Sequence, residues 1–530
     1  MLSKLTLWRL TVFLSFFLYV ACGEKPSVEE PSEKRPNIIY ILADDLGYGD
    51  IGAFNPDGKI KTPFIDQMAK DGLLFTDAHS PSAVCTPTRY GILTGRYSWR
   101  SPLKQGVLTG KSKALIPETR TTVASLMKNA GYQTAFIGKW HLGWDWAQKD
   151  STLNAGEGWN PSDFDNLDFT KAVTNTPNDL GFDYAYGHSG SLDMAPYAYV
   201  ENGTITANVD HVTEDKGKYT WWRKGPTAAD FKHDEVTPNF FNKATEYIKE
   251  NGKGEKPFFM YLALPSPHTP ILPTEEWLGK SGLNPYSDFV MMIDAYVGRL
   301  VQEIDNQGLT DNTLIIFTSD NGCSPQADFD VLGEKGHHPS GIFRGHKADI
   351  YEGGHRVPFI MKWPARIQKN SISKTLVCQT DLMATLADLV AVKLRANEGE
   401  DSFSMLPIMQ NTDEKFGRAA VVHHSINGSF AIRKDNYKLI FCPGSGGWSA
   451  PKPDSDELSG LPKFQLYDLE KDPAEEENLY ATQPETVDEL AALMVTYIEK
   501  GRSTQGPKQS NASLSLNGGK WHQIDAIMAH

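Results

Sequence analysis

The chain has 530 residues, 40% hydrophobic and 22% charged, enough to bury a large core in one big unit or two unequal ones. A formal net charge of -14 excludes a protein built to lie along nucleic acid, which needs a basic face. Any anionic ligand must therefore be held by locally placed cations.

At the N-terminus Lys4 and Arg9 frame an apolar stretch, Leu10 to Val20, that ends in Ala21-Cys22-Gly23. This is the order of an export signal over residues 1–21, too short and wrongly flanked for a spanning helix. Its last residues, "LYVAC", resemble a bacterial lipobox, with Tyr19 where leucine is usual. Lipidation of Cys22 is favoured over ordinary signal cleavage, and either outcome sends the chain out of the cytoplasm. The expected place is the periplasm or outer membrane of a Gram-negative bacterium, with a possible lipid anchor. Residues 22–35, rich in Pro, Glu, Ser and Lys, read as a solvated tether. Cys85, Cys323, Cys378 and Cys442 have no regular spacing, so they form neither a disulfide framework nor a zinc pattern.

The first element is "PNIIYILADDLGYGD", where the apolar run Ile38 to Ala43 predicts a strand buried on both faces and ending on Asp44-Asp45. "TPFIDQMAKDG" predicts a helix with Thr62 as N-cap and Pro63 in its first turn. "CTPTRYGILTGR", from Cys85 to Arg96, surrounds a cysteine with a proline, an arginine and a glycine turn that a buried structural thiol does not need. "TTVASLMKNAG" sets Val123, Leu126, Met127 and Ala130 on one helical face. A strand over Thr134 to Ile137 leads to Lys139 and His141, and a strand over Phe258 to Leu264 runs into a proline-framed loop holding His268. A long helix with the stripe Phe289, Ile293, Tyr296, Val297, Leu300, Val301 and Ile304 precedes a strand over Leu314 to Phe317, followed by Asp320-Asn321. "GIFRGHKADIYEGGHRVP" then packs glycines and charges around Lys347.

Alternating strands and helices predict an α/β, doubly wound, mostly parallel sheet over residues 36–395, whose ligand lies outside the carboxyl ends of the strands. Composition shifts near "LRANEGEDS". Short antiparallel strands, an Asp435-Asn436 hairpin and a helix using Val487, Leu490, Met494, Tyr497 and Ile498 predict a smaller α+β unit over residues 396–530.

Asp44, Asp45, Asp320 and Asn321 form an all-oxygen donor set suited to Ca²⁺, or Mg²⁺ in a tighter cage, and not to zinc. Singly, each pair reads better as a cap or turn, and only their joint place after two buried strands points to a metal. Arg89, Lys139, His141, His268 and Lys347 add the cations and proton carriers of a pocket for a tetrahedral oxyanion.

These blocks resemble the signatures of the type I sulfatases, the formylglycine-dependent branch of the alkaline-phosphatase superfamily, which carry Cys-x-Pro-x-Arg followed by Thr-Gly-Arg. "ADDLGYGD", "GKWHLG", "PHTP", "SDNG" and "FRGHKADIYEGGHRVP" match further blocks in order, across roughly residues 36 to 480. Thr88 departs mildly from the Ser or Ala of many members. The resemblance implies an alkaline-phosphatase-like fold and oxidation of Cys85 to formylglycine by a maturing enzyme. It implies Ca²⁺ on Asp44, Asp45, Asp320, Asn321 and modified Cys85, with Arg89 steadying the aldehyde hydrate. Lys139 and Lys347 would neutralise sulfate, His141 would take the proton that starts sulfate release, and His268 would protonate the leaving alcohol. The substrate implied is a sulfated carbohydrate from a glycosaminoglycan, mucin or algal glycan. The irregular aromatic stretch from Trp144 to Arg223 reads as its rim, where Trp221 and Trp222 either stack on a sugar or fill space under a long loop. His188, Ser191, Asp193, His337 and His338 are further rim candidates. A phosphodiesterase or phosphonate hydrolase would share the metal set. A non-catalytic sugar-binding protein would be expected to have lost Cys85, Arg89 or a metal aspartate, and all are present.

Overall fold

The computed structural model describes residues 35–153, 164–410 and 416–530. The segments read above as an export signal and a tether, with Cys22, lie outside them. Among the described residues no helix is long and apolar enough to cross a membrane.

Ten strands form the main sheet: β1 (Asn37–Asp44), β2 (Leu73–Phe75), β3 (Gln133–Lys139), β4 (Tyr184–His188), β5 (Val200–Glu201), β6 (Thr204–Ile205), β7 (Phe258–Pro267), β8 (Thr313–Ser319), β9 (Phe359–Lys362) and β10 (Ser371–Ser373). Their spatial order is β10-β2-β9-β8-β1-β7-β3-β4-β5-β6. The central run β8-β1-β7-β3-β4 is parallel, and antiparallel neighbours continue it on both sides. This is a large, mixed, mostly parallel α/β sheet, as the alternation predicts. Every residue of β1, β7 and β8 is buried, which explains their unbroken apolar runs: a strand covered on both faces has no polar side to display.

Two groups of helices flank the sheet. Helices α1 (Pro63–Lys70), α4 (Val236–Asn251) and α5 (Pro285–Asn306) pack together, and α2 (Cys85–Thr94), α3 (Val123–Asn129) and α6 (Leu382–Leu389) form the other group. Thr62 occupies the N-cap position of α1, but its hydroxyl bonds Asp66. The free N–H groups of Phe64 and Ile65 go instead to the Asp294 carboxylate of α5, which ties the two helices together.

A second, antiparallel sheet follows: β11 (Val421–His424), β12 (Phe430–Lys434), β13 (Tyr437–Ile440) and β14 (Gln465–Asp468), paired in chain order. Helix α7 (Pro484–Lys500) covers it with the predicted stripe of Val487, Leu490, Met494, Tyr497 and Ile498, all buried. Both sheets fall within one compact unit, Arg35–His530.

Register brings the polar strand ends to one edge. Ala43 lies level with Ser319, Asp44 with Pro267, and Gly138 with Ala263. The residues after β1, β3, β7 and β8 therefore meet outside the carboxyl ends of four adjacent strands.

Candidate active site

The segment that the sequence left without a secondary structure, "CTPTRYGILT", is helix α2. Val84 is its extended N-cap and Cys85 its first residue. Pro87 falls in the first turn, where a missing N–H costs nothing. Arg89 follows Cys85 by four residues and so shares its face of the helix. The spacing thus sets a nucleophile-sized side chain and a guanidinium on one surface, at the positive end of the helix dipole. The helix is buried on all sides, so it has no polar stripe by which the sequence could have announced it.

Three residues around the site hold left-handed backbone: Asp45 (φ 64°), His141 (φ 54°) and Ala348 (φ 80°). Successive side chains of a strand point to opposite faces, and the turn at Asp45 swings its carboxylate back beside that of Asp44. Gly138, with φ 128°, lets β3 approach β7 so closely that a Cβ would overlap Ala263 O. Its neighbours Lys139 and His141 depend on that approach for their place.

The charged groups interlock. Arg89 donates through Nε (3.1 Å) and Nη2 (2.8 Å) to Asp320 Oδ2, and through Nη1 to Lys139 O at 2.9 Å. Lys139 Nζ reaches Asp44 Oδ2 at 2.5 Å and Lys347 Nζ reaches Asp45 Oδ2 at 2.7 Å. Cys85 Sγ lies 3.6 Å from Asp44 Oδ1. Asp44, Asp45, Arg89, Lys139, His141, Asp320, Asn321, His268 and Lys347 are all buried. Burial works against the charge on Asp44, but Lys139, His268, Arg89 and Lys347 hold its carboxyl well below the usual range. Burial and the adjacent Asp44 push Asp320 up. Burial also opposes the charge on Lys347, but Asp45 keeps its ammonium well above the ordinary lysine value. Burial raises the Cys85 thiol more than Lys139 and Lys347 lower it, which works against its thiolate form.

The donor set fits a hard divalent cation. Asn321 turns Nδ2 toward Asp45 Oδ1 (2.7 Å) and Gly322 O (3.0 Å), leaving its Oδ1 buried with no hydrogen-bond partner. Asp44, Asp45, Cys85 and His268 bring potential ligand atoms within 4.8 Å of one another, and Asp320, whose Oδ1 accepts from Asp45 N at 3.2 Å, adds a further buried carboxylate beside them.

Two histidines face the same place with defined tautomers. His141 Nε2 lies 2.8 Å from Leu108 O and must donate to it, so Nδ1, which has no partner, carries a free lone pair. Burial and the charges of Lys139 and Arg89 lower its pKa well below the ordinary value and keep it neutral. His268 Nδ1 is 2.5 Å from Thr269 O and donates there, so Nε2, 3.6 Å from Asp45 Oδ2, is the atom that can exchange a proton. Burial and Lys347 lower the pKa of His268 as well. A bound anionic ester acts in the opposite direction.

A cavity of about 310 Å³ opens above Cys85, His141, His268 and Lys347. Of the rim candidates, Ser191, Asp193 and Trp221 line it, and Ser191 Oγ and Asp193 Oδ1 are buried without a hydrogen-bond partner. Arg223, paired with Asp193, also lines it, with its guanidinium 4.7 Å from the Trp221 ring. The other rim candidates lie elsewhere. Trp222 opens the strand Trp222–Ala228, which pairs with Val209–Asp215, and its ring stacks on His233 at 3.9 Å. His188 is packed parallel to Phe240 in the core, His337 is spent on Asp50 (2.8 Å) and on the N–H of Lys59 (3.1 Å), and His338 is exposed outside the cavity. Residue type could not separate a cavity wall from a ring packed in the core, as His188 is, or one bonded to a buried carboxylate, as His337 is. Sequence reasoning also missed Arg223, Ile426 and Trp448. The last two come from the C-terminal sheet region, and only the glycine-rich "GSGGWS" around Trp448 marked it.

Known proteins resemble the chain along most of its length. A family model described as sulfatase matches residues 36–392, and one described as N-sulphoglucosamine sulphohydrolase, C-terminal, matches residues 341–451. The chain is 34% identical over 522 residues to an N-acetylgalactosamine-6-O-sulfatase of Bacteroides thetaiotaomicron, spanning 90% of this chain and 96% of that one. It is 30% identical to human arylsulfatase A, with 90% of each chain covered. A solved structure designated 6S-sulf, from work on the metabolism of multiple glycosaminoglycans by Bacteroides thetaiotaomicron, superposes with a TM-score of 0.73 at 32% identity, over 87% of this chain and 99% of that one. With a family model over most of its length and these relatives along nearly all of it, the chain belongs to the sulfatase family, enzymes that hydrolyse sulfuric esters.

Proposed function

We propose that this sulfatase removes O-sulfate from a carbohydrate, with the 6-O-sulfate of N-acetylgalactosamine in a glycosaminoglycan or mucin fragment as the first substrate to try. The sugar assignment is supported by the name of the 34% identical relative. The observation that carries the chemistry is Cys85 at the head of α2, 3.6 Å from Asp44 and beneath the cavity that His141, His268 and Lys347 share. Its setting, Cys-x-Pro-x-Arg followed by Thr-Gly-Arg, supports its conversion to formylglycine by a maturing enzyme before folding buries it. That group would supply, as its hydrate, the hydroxyl chemistry for attack on sulfur and for the later release of sulfate. Asp44, Asp45, Asp320 and Asn321 would hold Ca²⁺, which supplies charge to lower the pKa of the nucleophile and to neutralise a sulfate oxygen.

The remaining work falls to side chains of this chain. Arg89 crosses from α2 to Asp320 and the end of β3, fixing the nucleophile relative to the carboxylates. Lys139 and Lys347 place positive charge where sulfate oxygens would lie. His141 offers its free Nδ1 as the base for sulfate release. His268, oriented by Thr269, delivers a proton from Nε2 to the departing sugar oxygen, which matters because a sugar alkoxide is a poor leaving group. Export, and a lipid on Cys22, are supported by the "LYVAC" order and the tether after it. A panel of defined sulfated mono- and disaccharides, with an aryl sulfate and an aryl phosphate diester as controls, tests the reading. Preference for the phosphate diester would replace it.

A further inference from the structure

We propose that Trp448, carried by the loop between β13 and β14, is the wall of the cavity on which the pyranose ring of the substrate rests. Asp349 is the positioning residue that fixes that wall relative to Lys347. The inference rests on the carbohydrate reading and goes beyond it by assigning the sugar's apolar face to this loop.

Trp448 is 36% exposed and lines the cavity that contains Cys85, His268 and Lys347. A large aromatic side chain open to the catalytic cavity offers an apolar face at low conformational cost. The cavity's other indole, Trp221, already carries the Arg223 guanidinium 4.7 Å from its ring, which among the described residues leaves Trp448 as the aromatic face without a cation on it. Its backbone is not free. Asp349, fully buried, accepts from the N–H groups of Trp448 (2.7 Å) and Ser449 (3.0 Å) through Oδ1, and from His346 N (3.0 Å) through Oδ2. One carboxylate thus joins the Trp448 loop to both sides of Lys347.

Further bonds make the junction rigid. Ala348, strained at φ 80°, donates its N–H to Ala83 O at 2.8 Å, two residues before Cys85, and accepts from Ile426 N at 3.0 Å. Ile350 N donates to Ser445 O at 2.8 Å, and Ser445 Oγ accepts from Gly447 N at 3.1 Å. Gly447 is obligatory here, since a Cβ would overlap Ala348 O and lie 2.5 Å from Asp349 Oδ1. The nucleophile, the sulfate-facing lysine and the tryptophan therefore belong to one hydrogen-bonded unit, although they come from three distant parts of the chain.

The test uses the mature full-length enzyme and 6-O-sulfated N-acetylgalactosamine, or whichever sulfated sugar the unaltered enzyme hydrolyses. Trp448→Ala is expected to raise KM about tenfold or more with a smaller change in kcat, and Trp448→Phe to recover most of that loss. The inhibition constant of inorganic sulfate, which reaches the lysines and not the tryptophan, should stay within about twofold. Asp349→Asn cannot accept at both oxygens and should also raise KM. Combined with Trp448→Ala it should add little, because the two act through the same contact. An unchanged KM in Trp448→Ala, or a fully additive double variant, overturns the inference while leaving the carbohydrate reading intact. If the unaltered enzyme turns over aryl sulfate and no sulfated sugar, both fall together. Trp448 is partly exposed, so its variants fold even if Asp349→Asn does not.

Discussion

Removing the imidazole of His268 separates the roles of the two histidines. In the fold, Nδ1 of His268 is committed to Thr269 O at 2.5 Å and Nε2 faces the cavity, so His268→Ala deletes the proton donor, and the contact it removes among the carboxylates is the 3.6 Å approach of Nε2 to Asp45 Oδ2. General acid catalysis contributes about 10²–10⁴-fold when the leaving group is a poor one. At about 1.36 kcal/mol per tenfold, that is about 2.7–5.4 kcal/mol of barrier on a sugar sulfate. On 4-nitrophenyl sulfate, whose phenolate leaves without help, the expected loss is less than about tenfold. The assay is kcat/KM of His268→Ala on both substrates, with thermal melting as a control for folding. His141→Ala, which removes the base for a step common to both substrates, should slow both alike. Equal losses on the two substrates in His268→Ala would refute the assignment of the acid to His268.

Other outcomes follow from the same geometry. A calcium chelator should lower the melting temperature, because at a hundred times Kd a bound ion contributes about 2.7 kcal/mol. Asn321→Ala should shrink the calcium-dependent shift, and an unaltered shift would place the ion elsewhere. His188, whose pKa burial, aided by Lys139, lowers from 6.5 to about 3, is neutral in the fold. Its contribution is full above pH 6.5 and is lost as pH falls toward 3, about 1.4 kcal/mol per pH unit in that window. Denaturant unfolding of His188→Leu between pH 7 and pH 4 should show a correspondingly flatter acid limb, and an unchanged slope would return the ring to a solvated role. Gly138→Ala, which forces a Cβ onto Ala263 O, should lower both stability and kcat, and a variant with full activity would show that β3 has room to move.

Much of this was legible because burial on two faces leaves a plain mark. The apolar runs of β1, β3, β7 and β8 ended close to where the polar residues begin, and parallel register did the rest. β3 extends to Lys139 itself and β7 to Pro267, since pairing with neighbours continues past the last apolar side chain. Helix α2 was not legible, because a helix surrounded by protein carries no periodic contrast. Nor were the left-handed turns at Asp45, His141 and Ala348: Asp and His enter that region more readily than most residues but rarely, and Ala348 has no such preference, so only the tertiary contacts fix them there. The rim was read from residue type alone, so Trp221, Ser191 and Asp193 were placed on the cavity while His337, equally polar, proved to be a partner of Asp50.

The most direct test of the account is the mass of the tryptic peptide that ends at Arg89, taken from active protein made in a host with a maturing enzyme. Conversion of Cys85 replaces its thiol by an aldehyde, so the peptide should lack sulfur at that position and be captured by a hydrazide reagent. Cys85→Ala should keep the fold and the calcium-dependent melting shift while releasing no sulfate. Fully active protein carrying only unmodified Cys85 would contradict the mechanism at its first step.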